Sequence, residues 1–212
     1  MIFFTELRFS GFENEWEIRK LNQISISVKE KNKNAKIKTV FSNSAKFGIV
    51  LQEDFFDKDI ANKTNIDGYY VVKPNDFVYN PRISNNAPVG PIKQNETGLI
   101  GIASPLYSIF RINEEINSKY VKYFFTSDKW HKYIKGVANY GARHDRINIT
   151  QKDLYNLPVS LPSNAEQDKI ADFMSIIDSK IELLKNKYED SQNFKKYLMQ
   201  EIFTQKLRKI RV

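Results

Sequence analysis

The sequence predicts an α+β fold: a globular domain of short strands and helices, then one long α-helix. Three observations carry that expectation. Short apolar runs with strand character alternate with Pro- and Asn-rich turns through most of the chain. One stretch near residue 120 repeats its apolar residues at helical spacing. From Ser163 to about Gln205 there is neither Gly nor Pro, and apolar residues recur at alternating steps of four and three.

In chain order, Trp16–Leu21 reads as a short helix anchored by Trp16 and Leu21, and 29–38 as a polar loop with five lysines and one Glu. Strand-like runs follow at 39–41, 48–51 and 69–72. Lys73-Pro74-Asn75-Asp76 has turn chemistry, and Phe77-Val78-Tyr79 is a strand that stops at Asn80-Pro81. Residues 82–98 read as loop, and 101–110 as a buried strand pair or a bulged strand. Residues 117–134 place Tyr120, Val121, Phe124, Phe125, Trp130 and Ile134 on a helix capped by Ser118, which Gly136 to Gly141 end. Pro158–Leu161 is the last strand. Pro162 marks a boundary between a domain of residues 1–160 and a helix of residues 163–207. Ser163 and Glu166 have capping-box spacing, which satisfies orphan amides at a helix start. The helical seam runs through Ile170, Met174, Ile177, Ile181, Leu184, Tyr188, Leu198 and Ile202, with Ser191 and Lys195 interrupting it. A stripe this long cannot bury itself, so the helix is expected to form a coiled coil with a partner.

Charge is concentrated. The 212-residue chain has a net charge of +8, yet residues 119–152 alone hold eight basic groups against Asp128 and Asp145. A positive block interleaved with aromatics suits a polyanion surface; the competing reading is a solvated lysine-rich face. With no cysteine there is no disulfide frame or thiolate metal site, and no apolar run reaches the roughly 18 residues of a membrane helix. The first residues lack a secretory pattern, so the expected location is cytoplasmic.

Several segments together resemble the specificity subunits of type I restriction–modification systems. They are Leu7-Arg8-Phe9-Ser10-Gly11-Phe12 with Trp16, Gly68–Val72, Asp76–Arg82, Gly101–Tyr107, the run Leu161-Pro162-Ser163 with Glu166-Gln167 through Ile177-Asp178, and Tyr197–Phe203. The resemblance implies a target recognition domain that reads half of a split DNA site, and a conserved helix that lies antiparallel to a second helix as a spacer. The usual family member has two such domains and two helices; this sequence has one of each, so a half-subunit is expected. Leu207-Arg208 echoes Leu7-Arg8 where a second domain would begin. The implied partners are double-stranded DNA, a second copy or second half-subunit, methyltransferase subunits and a motor-nuclease restriction subunit.

A reading domain needs base-edge and phosphate contacts, not a reaction centre. The loop after the helix offers Lys132, Lys135, Asn139, Tyr140, Arg143, His144 and Arg146, with Gly136 and Gly141 allowing close backbone approach. Arg143 and Arg146 suit guanine, Asn139 suits adenine, and the lysines suit phosphate. A second group is Tyr79, Arg82, Asn85 and Asn86. Asn80-Pro81 matches only half of the motif with which amino-methyltransferases hold a flipped base, and reads as a structural turn. Asp76, Lys93 and Glu96 read as solvated loop groups rather than a nuclease centre. The two histidines have no metal spacing, and no glycine-rich loop suits a cofactor, so no catalysis, metal or cofactor is expected. The alternative function is a protein-binding module that captures or inhibits a methyltransferase through its helix without reading DNA.

Overall fold

The computed structural model describes residues 8–55, 66–139 and 145–204. In chain order the elements are β1 (Glu17–Lys20), α1 (Leu21–Ile24), β2 (Ser25–Ser27), β3 (Phe41–Ser44), β4 (Gly48–Leu51), α2 (Gln52–Phe55), β5 (Tyr70–Val72), β6 (Phe77–Tyr79), β7 (Ile92–Gln94), β8 (Gly101–Ala103), β9 (Ser108–Ile112), α3 (Ser118–Thr126), α4 (His131–Val137), α5 (Gln151–Tyr155), β10 (Pro158–Leu161) and α6 (Asn164–Phe203). This is the expected mixture of short strands and helices with a long terminal helix. The chain divides into two compact units, 1–168 and 169–212.

In the first unit the central sheet has strand order β2-β9-β6-β7, all antiparallel. All three residues of β6 are buried. Both faces of this strand are covered, which is why its sequence is continuously apolar rather than alternating. Phe77 lies opposite Phe110 in the register and stacks on it, with ring centroids 5.4 Å apart. Phe125 of α3 closes that face with its ring 6.0 and 5.9 Å from the two. Val78 and Ile109 belong instead to a cluster with Phe41, Ile49, Val72 and Ala103. Three two-stranded sheets, β3-β4, β5-β8 and β1-β10, surround this core.

Several local expectations are corrected. Residues 16–21 are not one helix: β1 pairs antiparallel with β10, Glu17 to Leu161 through Lys20 to Pro158, and only then does a one-turn helix begin. A long-range pairing overrides the local helical pattern; of the two expected anchors Leu21 is buried, whereas Trp16 is exposed. The 117–134 helix is two helices, because the Ser127 hydroxyl donates to the Phe124 carbonyl and Trp130 Nε1 donates to the Ser127 carbonyl. Its cap is Asn117, whose Oδ1 accepts the Tyr120 amide, and α4 continues through Gly136. Residues 92–94 form a strand within the expected loop. Asp76 is fully buried: it accepts from Arg111 Nε at 2.7 Å, Arg111 Nη2 at 3.0 Å and the Lys73 amide at 2.7 Å. A carboxylate so enclosed holds a turn and a strand together; it is not a solvated loop group.

The start of α6 lies within the first unit. Ser163 Oγ accepts from the Glu166 amide at 3.4 Å, but the Glu166 carboxylate turns to Arg8, so only half of the capping box forms. Gln167 donates to the Pro162 carbonyl and accepts the Asn117 amide.

In the second unit, Ile170, Met174, Ile177 and Leu198 are half-buried, whereas Ile181, Leu184, Tyr188 and Ile202 are exposed. Phe173, Ile176, Leu183, Phe194, Tyr197 and Met199 are exposed as well, so the apolar band is wider than the expected seam. At 40 residues the helix is ~60 Å long. No helix among the described residues is long and apolar enough to cross a membrane.

Candidate nucleic-acid interface

The two loops picked out separately by sequence are hydrogen-bonded to each other. Arg82 and Arg146 form an isolated antiparallel bridge. The Ile83 amide donates to the Asp145 carbonyl at 3.0 Å, and the Ile147 amide to the Pro81 carbonyl at 3.1 Å. Two residues further on, Asn139 and Asn148 exchange backbone bonds of 2.8 and 2.9 Å, which ties the end of α4 to the same ribbon. Two arginines 64 positions apart thus sit side by side on a short two-stranded ribbon.

The ribbon is anchored by the turn after β6. The buried Asn80 side chain accepts the Arg82 amide through Oδ1 at 3.0 Å and donates through Nδ2 to the Asn43 carbonyl at 3.1 Å. Gly90 has φ +79°, and a Cβ there would collide with the Asn80 carbonyl. Glycine is therefore required by both conformation and contact. Beyond Arg82, Ser84 and Ala87 exchange backbone bonds of 3.0 Å, leaving Asn85 and Asn86 exposed at the tip of a tight turn.

Arg82 and Arg146 line a cleft of about 370 Å³ with Ser42, Ser44, Gln52 and Tyr107 among the other wall residues. Burial pushes the Tyr107 hydroxyl above its ordinary pKa, while the Asn43 backbone and the charges of Arg146 and Arg82 pull the other way. Arg82 Nε is 3.7 Å from Asp145 Oδ2, and both side chains are at least half exposed. Such a loose, solvated pair contributes little to stability, so Arg82 is available to an incoming anion. The cleft therefore presents two guanidiniums over a wall of hydroxyl and amide groups, the inventory that reads base edges and binds phosphates.

The remaining sequence candidates divide clearly. Lys132 and Lys135 are exposed on α4, and Asn139 is exposed at its end. Tyr79 is buried in β6, and its hydroxyl donates to the Val89 carbonyl at 3.0 Å, so it packs the core and presents no surface to a duplex. Tyr140, Arg143 and His144 lie outside the described residues. Burial lowers the pKa of His131, which packs edge-on against Trp130. Sequence reasoning missed Gln52 and Tyr107. The available signal was the Ser104-Pro105 turn that splits the 101–110 run and brings Tyr107 to the cleft.

The family model of the type I restriction modification DNA specificity domain matches residues 13–190. The chain belongs to that family. No curated protein sequence matches it. The S subunit of a type I restriction–modification system from M. genitalium superposes with a TM-score of 0.60 at 16% identity, covering 92% of this chain and 47% of that one. A structure from work on complex assembly and conformational transition of the type I R-M system superposes with a TM-score of 0.57 at 13% identity, covering 92% and 50%. At such identity these establish the specificity-subunit fold. This specificity chain spans about half the length of both structures.

Proposed function

We propose that this chain reads one half of a bipartite DNA site for a type I restriction–modification complex. The carrying observation is the Arg82–Arg146 ribbon at the polar cleft, continued on one side by the turn that carries Asn85 and Asn86 and on the other by the Asn139–Asn148 bridge; Lys132 and Lys135 are exposed on α4, the helix that ends at this bridge. In this reading residues 1–160 are the target recognition domain, and Tyr140, Arg143 and His144, outside the described residues, are DNA-contact candidates on sequence alone. The helix, residues 163–207, pairs antiparallel with a second copy or a second half-subunit through its seam and sets the distance between two reading heads. Two identical heads related by a two-fold axis read an inverted site. The chain itself carries out no chemistry: a partner methyltransferase modifies the DNA and a partner motor-nuclease cuts it, in the cytoplasm.

Methylation mapping of DNA from cells that carry this chain and its methyltransferase tests the proposal. The expected result is one split motif that disappears when Arg82 and Arg146 are both replaced by Ala. Methylation that does not depend on this chain contradicts it.

A further inference from the structure

Five lysines stand on one clamped loop beside the arginine cleft. Lys29, Lys31, Lys33, Lys36 and Lys38 are all exposed. The outgoing arm of the loop runs beside β5. The Val71 amide donates to the Glu30 carbonyl at 2.8 Å, the Asn32 amide donates to the Tyr69 carbonyl at 2.9 Å, and Lys31 and Tyr70 form an antiparallel bridge. Side chains of an extended arm alternate, so Asn32 turns inward while Lys31 turns outward. The return arm is held at Thr39 and Val40, whose carbonyls accept the Ile102 and Gln52 amides at 2.8 and 2.9 Å. On this arm Ile37 packs against the Ile66, Val71 and Ile102 cluster, and its neighbours Lys36 and Lys38 stay outside.

The buried Asn32 side chain ties the two arms together. Its Oδ1 accepts the Ile37 amide and its Nδ2 donates to the Ile37 carbonyl, both at 2.9 Å. Between them the chain reverses through Asn34 and Ala35, at φ +58° and +47°. The loop backbone is therefore set before a ligand arrives, which lowers the ordering cost of binding. Five like charges on so short a loop repel one another. The one carboxylate among them, Glu30, engages Lys73 at 3.0 Å, and none of the five lysines has an ion-pair partner among the described residues. A merely solvated lysine face could lie anywhere on the surface. This one adjoins the arginine cleft by both arms: Tyr69 beside the outgoing arm and Val40 on the return arm line that cleft with Arg82 and Arg146. An ammonium on a flexible stem is a point charge, suited to phosphate rather than to a base edge.

We propose that the loop of residues 29–38 is a backbone clamp for the duplex read at the arginine cleft, its lysines neutralising phosphates beside the half-site. It supplies affinity and leaves base discrimination to the cleft. The inference rests on the DNA-reading role proposed above and adds a contact surface to it.

The test uses the full chain with its methyltransferase and two triple variants, in which Lys31, Lys33 and Lys36 are all replaced by Gln or all by Arg. Binding to the motif duplex and to a scrambled duplex is measured across a salt series. The replaced side chains are exposed, so all three proteins should melt together. The Gln variant should lose affinity for both duplexes by the same factor. Its log-log salt slope should be smaller by about 0.9 for each phosphate no longer neutralised. The Arg variant keeps the charge and should keep the wild-type slope. A Gln variant with the wild-type slope overturns the clamp and leaves DNA reading intact. So does an Arg variant that loses as much slope as the Gln variant, because charge is then not the cause. Unchanged duplex binding with lost methyltransferase association overturns the clamp in favour of an acidic protein surface as the partner. A wild type that binds both duplexes equally, with a reduced slope in the Gln variant, contradicts sequence reading and leaves the phosphate contacts standing. A wild type that binds no duplex overturns both.

Discussion

Arg8 donates two hydrogen bonds of 2.8 Å, from Nε and Nη2, to the buried carboxylate of Glu166, 158 residues further along the chain. The same guanidinium donates to the Asn14 carbonyl. The pair joins the front of the first unit to the opening turn of α6, near the β1–β10 pairing that joins the same two segments by backbone. Arg8 is partly exposed and Glu166 almost wholly enclosed. Replacing Arg8 by Ala leaves a buried carboxylate without its counter-ion, held only by the Trp16 side chain, and should cost roughly 3 kcal/mol, the low end for breaking a buried pair. Denaturant unfolding checks this.

The same pair predicts an acid dependence. Hydrogen bonding from Arg8 holds Glu166 below the usual carboxylate range, against the opposing effect of burial. A group depressed on folding contributes stability above its unfolded pKa of about 4.3, and that contribution is lost as pH falls through the lower folded value. The stability difference between wild type and Arg8→Ala should therefore be full at neutral pH and shrink on acidification below about pH 4. A difference constant from pH 7 to pH 3 would show that the pair is not the cause.

Gly90 supports the arginine ribbon from behind. Gly90→Ala would force a methyl group against the Asn80 carbonyl at a positive φ, and should cost about 1–3 kcal/mol as an overpacking strain. Because Asn80 also holds the Arg82 amide, duplex affinity should fall in the folded variant too. Circular dichroism melting and a binding isotherm below the melting range separate the two effects.

Arginines of the ribbon and lysines of α4 should fail differently. Arg82→Ala or Arg146→Ala should relax discrimination among duplex sequences by about 1–3 kcal/mol. Lys132→Ala with Lys135→Ala should weaken all sequences alike and reduce the salt slope by about 0.9 for each phosphate no longer neutralised. Competition binding against a randomised duplex pool distinguishes these patterns. Equal loss of specificity in both sets would remove the division of labour.

The helix should fail without the domain. Ile177→Asp with Ile181→Asp places two charges on the seam and should convert an assembly to single chains while the first unit stays folded. Light scattering and near-ultraviolet circular dichroism measure the two properties. An unchanged mass would show that these residues face no partner.

What was legible in the sequence follows from how local each signal is. The long helix is written in its own spacing, and β6 and the 101–110 strand pair in their apolar runs. The Arg82–Arg146 bridge joins two loops, and no periodicity links them; each arginine was legible as a candidate, their pairing was not. Tyr79 was misread because an aromatic beside a polar turn resembles a surface contact, whereas its hydroxyl finds a partner inside, on Val89. Arg8–Glu166 was hidden by a competing local motif, since Ser163-x-x-Glu166 already has capping-box spacing. The β1–β10 pairing was hidden for the same reason: a strand of four residues has no pattern that survives a helical alternative.

The most direct measurement is duplex binding by the purified chain together with its methyltransferase, read by footprinting on the motif found by methylation mapping. The account predicts protection of a half-site by each copy, with protection abolished in the Arg82→Ala, Arg146→Ala double variant. Wild-type assembly that protects no duplex, or a double variant that protects the same bases as the wild type, would contradict it.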